Sequence, residues 1–209
     1  MSRTYRSERR ETQARQTRSR VLVAAGVRFA TDGYSATTIR SIAAAAGVSV
    51  PTIEAHFAGK ARLLKAAIDV AIAGDDEPVA MLDRPFAERA RAARSAHEVI
   101  RIVAEVVTPA QDRSAGLILA AFEAAPTDAD LAALVTELVA QRRRTVAWIV
   151  DTLARTAALR VSRDESIETL WILMDPAVFQ RAVRHLGWSL QRYRTWFASS
   201  AEHLLLPDY

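Results

Sequence analysis

The stretch from Ser41 to Lys60, SIAAAAGVSVPTIEAHFAGK, constrains the chain more than any other. An alanine-rich run with helical spacing stops at Gly47, and a second short run, with Pro51 near its start, stops at Gly59. Helices this short are unstable alone, so packing across a tight corner has to hold them. Two helices meeting at a fixed steep angle across a turn of a few residues form a helix-turn-helix. The residue types suit that geometry. Ala43 permits close approach, Gly47 can take positive φ, Val48 fills the turn and Ser49 can cap the following amides. Pro51 falls where its missing N–H has no intrahelical partner to lose. Ile53 and Phe57 lie four apart on the inner side. Val50, Thr52, Glu54, Ala55 and His56 face outward, free to enter a major groove. Ordinary helical corners share the pattern, so charge has to separate the two.

Residues 1–65 hold twelve basic and four acidic side chains, a net of +8, and the remainder of the chain nets −4. A basic first third on an acidic body points to a polyanion partner for that third alone; a solvated basic tail is the plainer alternative. Half of the 209 residues are apolar, enough for a sizeable core. No apolar run reaches the ~20 residues a bilayer span needs, and no apolar segment follows the arginine-rich start, as a secretory signal would require. Cysteine is absent, which removes disulfides and thiolate chemistry and fits a reducing compartment. The expectation is a soluble, cytoplasmic chain with no membrane partner.

Strand signals are nearly missing and helical periodicity runs almost throughout, so the expected class is all-α. Residues 1–15 are expected as a flexible basic arm, 16–65 as a three-helix helix-turn-helix domain, and 66–209 as a larger helical domain for effector binding and dimerisation. A first helix carries Leu22, Ala25 and Phe29 and closes near Gly33; Thr37 can cap the second. The third covers 50–57, and the fourth runs from about Lys60 towards Gly74. The GDDEP stretch at 74–78 is the strongest boundary signal. Beyond it, helices are expected at 95–107 and 113–124. A long one starts at Thr127 or Asp128, with Leu131, Leu134, Val135, Leu138, Val146, Ile149 and Leu153 as its apolar stripe. Ser162 and Glu165 suit a capping box; that helix breaks at Asp175–Pro176, resumes and ends at Gly187. Ser189 can cap a last one.

From Arg18 to Leu64 the chain resembles the N-terminal domain of the TetR family of transcriptional regulators. The likeness is carried by AAGVRFATDGYSATTIRSIAAAAGVS and HFAGKARLL, and a C-terminal stretch, LWILMDPAVFQRAVRHLGWSLQRYRTWFASS, is similar to the last two helices of some members. The resemblance implies a homodimer of two-domain helical subunits that binds an operator in double-stranded DNA, with 50–57 as recognition helix. It places Thr37, with Thr38 and Arg40 beside it, at phosphate. It places Ser49, Val50 and Thr52 at phosphate or bases, His56 at the backbone, and Lys60 at a phosphate by the fourth helix's N-terminus, where anions are favoured. Members usually carry Tyr where this chain has Glu54. A carboxylate there either accepts from cytosine N4 or faces solvent and lowers non-specific affinity, the latter being the better-supported reading. The arginine arm either enters a minor groove or, as preferred here, strengthens backbone attraction.

The resemblance further implies a repressor released by a small-molecule effector, which requires differential affinity for two states. Met81, His97, Arg101, Phe122, Trp148 and Trp171 are the candidates for an effector pocket, with ordinary core packing, or a solvent-facing stripe of His97, Glu98, Arg101 and Glu105, as the plainer alternative. Phe179, Val183, Trp188, Trp196 and Phe197 are the candidates for a dimer interface, although several of these side chains could pack within one subunit. The triplet Arg142–Arg144 is expected to be a solvated turn of helix. Catalysis has little support. The histidines at 56, 97, 185 and 203 are scattered without zinc-ligand spacing, no phosphate loop, nucleophile elbow or dinucleotide fingerprint occurs, and neither metal nor cofactor is expected. A ligand-independent, constitutive or architectural DNA-binding protein is the alternative.

Overall fold

The computed structural model describes the backbone of residues 3–207 and side chains from residue 9 onward. Among the described residues there is no strand, and no helix is long and apolar enough to cross a membrane. The order is α1 Arg3–Ala36, α2 Ile39–Ala46, α3 Val50–Phe57, α4 Lys60–Ala73, a 3-10 turn Met81–Asp83, α5 Pro85–Ala92, α6 Ala96–Ala124, a 3-10 turn Ala125–Thr127, α7 Ala129–Ala154, α8 Arg163–Leu173, α9 Pro176–Phe179 running into a π-turn Gln180–His185, and α10 Leu190–Leu205.

Two compact units result, Met1–Asp76 with Gly116–Leu134, and Glu77–Ala115 with Val135–Tyr209. Residues 116–134, assigned by sequence to the second domain, therefore group with the first. In the first unit Leu22, Ala25 and Phe29 of α1 are buried together with Ile42 and Ala43 of α2, Ile53 and Phe57 of α3, and Leu63, Leu64 and Ile68 of α4. In the second unit one apolar cluster joins Val99, Ile100 and Val103 of α6, Val146, Ile149 and Leu153 of α7, Leu170 of α8, and Tyr193, Phe197 and Leu205 of α10.

Four expectations need correction. The segment expected as a flexible arm is helical from Arg3, continuous with α1; residues 1 and 2 lie outside the described residues. Gly33 has positive φ (75°) but ψ of 170°, so it kinks the helix rather than capping it, and one further turn runs to Ala36. The cap of α2 is Thr38, not Thr37: the Thr38 hydroxyl accepts from the Ser41 amide while Ser41 Oγ accepts from the Thr38 amide. The helices expected at 95–107 and 113–124 are one, α6, which passes straight through Pro109. Proline removes a helical hydrogen bond and crowds the preceding turn, at a cost of about 3 kcal/mol. Burial of Ile100, Ile102, Val103, Leu117 and Ala121 along the same helix outweighs it, since tertiary packing supplies most helical stability.

The corner itself is built on a left-handed residue. Gly47 sits at φ 64°, ψ 41°, its amide donating to the Ala43 and Ala44 carbonyls, and Val48 N–H returns to Ala43 at 3.0 Å. At the far end of α3 the same conformation falls on Ala58 (φ 46°), one residue before the glycine that sequence offered. A side chain in that region is disfavoured by roughly 1–2 kcal/mol. Gly47→Ala is therefore expected to cost about 1 kcal/mol and Ala58→Gly to gain about as much in urea unfolding; equal midpoints for the two variants would contradict the assigned backbone.

Candidate nucleic-acid interface

α3 presents an outer face because its inner one is full. Ile53 and Phe57 are buried, whereas Pro51, Glu54, Ala55 and His56 are exposed and Val50 and Thr52 half-exposed. Ser49 caps it: its hydroxyl accepts from the Thr52 amide at 3.3 Å and lies 2.8 Å from Thr52 Oγ1. The two hydroxyls thus share one hydrogen bond at the first turn of α3. His56 Nδ1 donates to the Thr52 carbonyl at 2.8 Å. That bond puts the proton of a neutral ring on Nδ1 and leaves Nε2 as an outward acceptor, so a His56–phosphate bond through Nε2 needs the imidazolium.

Lys60 opens α4 behind Gly59, which provides no side-chain cap for the first amides. Its ammonium lies 4.0 Å from the Tyr34 ring centroid, a cation–π contact. Burial lowers the Lys60 pKa, and Asp128 acts in the opposite sense. Tyr34 stacks on Phe29 at 5.8 Å and donates its hydroxyl to Asp128 Oδ2 at 3.3 Å. Asp128 also accepts the Leu131 amide at the start of α7. The helix N-terminus that favours anions is thus tied through one tyrosine to residue 128. Tyr34 and Asp128 were missed as neighbours of Lys60, because no local pattern links positions 94 residues apart.

Thr38 and Arg40 are exposed beside the corner, but Thr37 is withdrawn. It is 1% exposed and donates its hydroxyl to the Gly33 carbonyl at 2.7 Å, within reach of the Arg28 carbonyl at 3.2 Å. Thr37 pins the kink of α1 and cannot touch phosphate, which corrects its expected role. Three basic groups are also committed inside the unit. Arg18 pairs with Asp76 at 2.7 Å and lies over the Phe57 ring, Arg28 pairs with Asp32, and Lys65 with Asp69.

Residues 21–67 match the sequence profile of the bacterial regulatory proteins of the tetR family. The chain carries a TetR-family helix-turn-helix. No curated protein matches it in sequence. Among solved structures it is similar to a Rhodococcus sp. protein assigned to the TetR-family transcriptional regulators, at 16% identity and a TM-score of 0.66 over 91% of this chain and 98% of that one. A Saccharomonospora viridis protein assigned as a transcriptional regulator, crystallised with choline, is 20% identical with a TM-score of 0.64 over 91% and 98%. A Mesorhizobium loti protein assigned to the TetR family is 15% identical with a TM-score of 0.64 over 91% and 95%. At these identities the structural likeness shows the fold alone.

The expected effector residues do not converge. His97 is exposed, and Arg101 is exposed and paired with Glu105 at 2.6 Å, with Arg89 reaching the same carboxylate at 2.8 Å. Phe122 belongs to the first unit and is 40% exposed. Met81 is half-buried in its 3-10 turn, Trp148 packs edge-on to Phe86, and Trp171 lies under the Arg142 guanidinium. The dimer candidates divide likewise. Phe179, Val183 and Phe197 are buried within the chain and offer no open surface, while Trp188 and Trp196 are half-buried and edge-to-face at 5.8 Å. Exposed apolar side chains on the later helices include Ile172 (63% exposed), Leu186 (68%), Leu190 and Leu204; Val23 and Val27 of α1 and Val79 are exposed as well. Arg142 was also misread as solvated. It lies midway between Leu138 and Val146 on the apolar stripe of α7, a spacing that could have revealed its inward direction.

Burial, reinforced by Asp128, pushes the Tyr34 hydroxyl up to about 12. A raised folded-state value means stability intact below the ordinary tyrosine value of about 10 and lost as pH climbs from there towards 12. Tyr34→Phe is expected to flatten the fall in urea midpoint across that window; parallel slopes would place Tyr34 ionisation at its ordinary value.

Proposed function

We propose that the protein is a homodimeric, sequence-specific DNA-binding regulator, a repressor that a small-molecule effector releases from its operator. The observation that carries this reading is the uncovered outer face of α3, together with the exposed Thr38 and Arg40 at the start of α2 and the N-terminus of α4, which has no side-chain cap and carries Lys60. A rigid two-turn helix with its inner face locked and its outer face open has the shape a major groove admits. Among the described residues no three metal-ligating side chains group together. The tetR-family domain supports regulation over catalysis. A choline-bound structure among the similar proteins supports an effector, though not that effector.

Pairing would run through Leu186 and Leu190, with Ile172 or Leu204 contributing, in place of the buried aromatics. The support for this is their exposure on elements close in sequence, Leu186 and Leu190 lying four residues apart. Two copies are needed because a helix-turn-helix dimer reads half-sites ~34–36 Å apart. Leu186→Glu with Leu190→Glu is expected to convert the dimer to monomer in sedimentation and abolish operator binding; an unchanged sedimentation coefficient would move the interface elsewhere.

Genome-wide mapping of bound sites followed by competition with scrambled duplex tests the central claim, which fails if the best genomic fragment has no advantage at moderate ionic strength. On that fragment Lys60→Ala should reduce the slope of log affinity against log salt by about 0.9 per recognition unit, without altering sequence preference. Glu54→Ala should raise affinity for every duplex alike. A change of preferred base in Glu54→Ala would instead make Glu54 a base-reading residue.

A further inference from the structure

The side chains of residues 9–16 on α1 are all exposed, unlike the later turns that bury Leu22, Ala25 and Phe29. Most helical stability comes from packing, so the core does not dictate which residue types occupy these early turns. They are nevertheless sorted by face. At 3.6 residues per turn, Arg9, Gln13, Gln16 and Arg20 fall on one stripe within about 60° of arc, with Arg10 and Thr17 along its edge. Glu11 lies on the opposite side with Ala14, Arg15 and Arg18, in line with the buried Leu22, Ala25 and Phe29. Arg18 is engaged there, held by Asp76 at 2.7 Å and lying over the Phe57 ring.

From Arg9 to Arg20 the stripe thus carries guanidinium, amide and hydroxyl groups and no carboxylate. Carboxylates placed three or four residues from those arginines would stabilise an exposed helix better, so solvation alone does not account for the sorting. The stripe also has a definite end. Arg20 is exposed, and its Nη1 lies 4.0 Å from the point where a Cβ on Gly47 would stand. Gly47 is the corner residue, and Ser49 just beyond it caps α3. The basic face of α1 therefore runs up to the turn that leads into the open helix.

We propose that this stripe is a second DNA contact, in which α1 lies as a helix along the phosphates flanking the half-site that α3 meets; the inference rests on the DNA-binding reading given above. Charge complementarity selects the occupant. Arginine, glutamine and threonine side chains hydrogen-bond phosphate oxygens without reading sequence. With α3 in a major groove, the polyanion nearest Arg20 is the backbone of the same duplex. From Arg9 to Arg20 the stripe is about 16 Å long, the axial length of about five base pairs. The face matters as much as the charge. Arg15 is as basic as Arg9, but it lies on the side of the helix that continues into the core, and so outside the contact.

The full-length protein is titrated across a range of salt with its best genomic fragment, with that fragment trimmed at both flanks, and with scrambled duplex. Arg9→Ala and Arg15→Ala remove the same charge from opposite faces. Arg9→Ala and Arg20→Ala are each expected to reduce the slope of log affinity against log salt by about 0.9 per recognition unit, and Arg15→Ala to leave it unchanged. Gln13→Pro keeps every charge but interrupts the helix. It should behave as Arg9→Ala does and lose the advantage that wild type gains from the longer flanks. Equal slopes for Arg9→Ala and Arg15→Ala would make the segment a diffuse cationic tail and overturn the proposal. A Gln13→Pro protein with the wild-type slope overturns it too, because a flexible arm needs no helix. Selectivity for the genomic fragment combined with equal slopes overturns the stripe alone. A face-dependent slope on genomic and scrambled duplex alike, without selectivity, overturns the regulator reading and leaves the stripe standing.

Discussion

The left-handed backbone at Gly47 is the constraint on which the first unit turns. α2 and α3 are eight residues each, too short to persist unsupported. They persist because the corner directs Ile42, Ala43 and Ala46 from one side and Ile53 and Phe57 from the other into the core of α1 and α4. Burying a large apolar side chain contributes roughly 1.5–3 kcal/mol, so Ile42, Ile53 and Phe57 together outweigh the instability of two brief helices. The same geometry decides which residues remain outside. With only two turns in α3 and two large side chains committed inward, Glu54, Ala55 and His56 have nowhere to go but solvent.

Around that corner the polar groups are satisfied locally. Thr38 and Ser41 cap each other reciprocally, Ser49 caps α3, and Thr37 closes on the Gly33 carbonyl. Lys60 is held by Tyr34, and Tyr34 by Asp128. A reading surface built this way is preorganised, so little side-chain freedom is left to lose on meeting a partner.

The features legible in the chain were those with a local physical cause. Gly47, Ser49 and Pro51 announce the corner because each residue type suits one backbone position; α3 lies at Val50–Phe57 as expected. Ser162 and Ser189 likewise announce the starts of α8 and α10, and Asp175–Pro176 the break between α8 and α9. Local rules misled where packing overrode them. Pro109 argues for a helix end, yet α6 continues through it, and Thr37 looks as fit a cap as its neighbour until burial removes it.

By itself, the sequence settled the helical class, the corner and the two faces of α3, because backbone conformation and amphipathic spacing are properties of neighbouring residues. Which side chains meet across long separations belonged to the tertiary structure alone. Arg142 turning inward to the end of α8, Phe179 and Phe197 burying themselves within the chain while Leu186 stays open, and Asp128 reaching Tyr34 all depend on how distant helices pack. Hydrophobicity is the same quantity in a core and at an interface, and periodicity carries no information about which helix a face will meet.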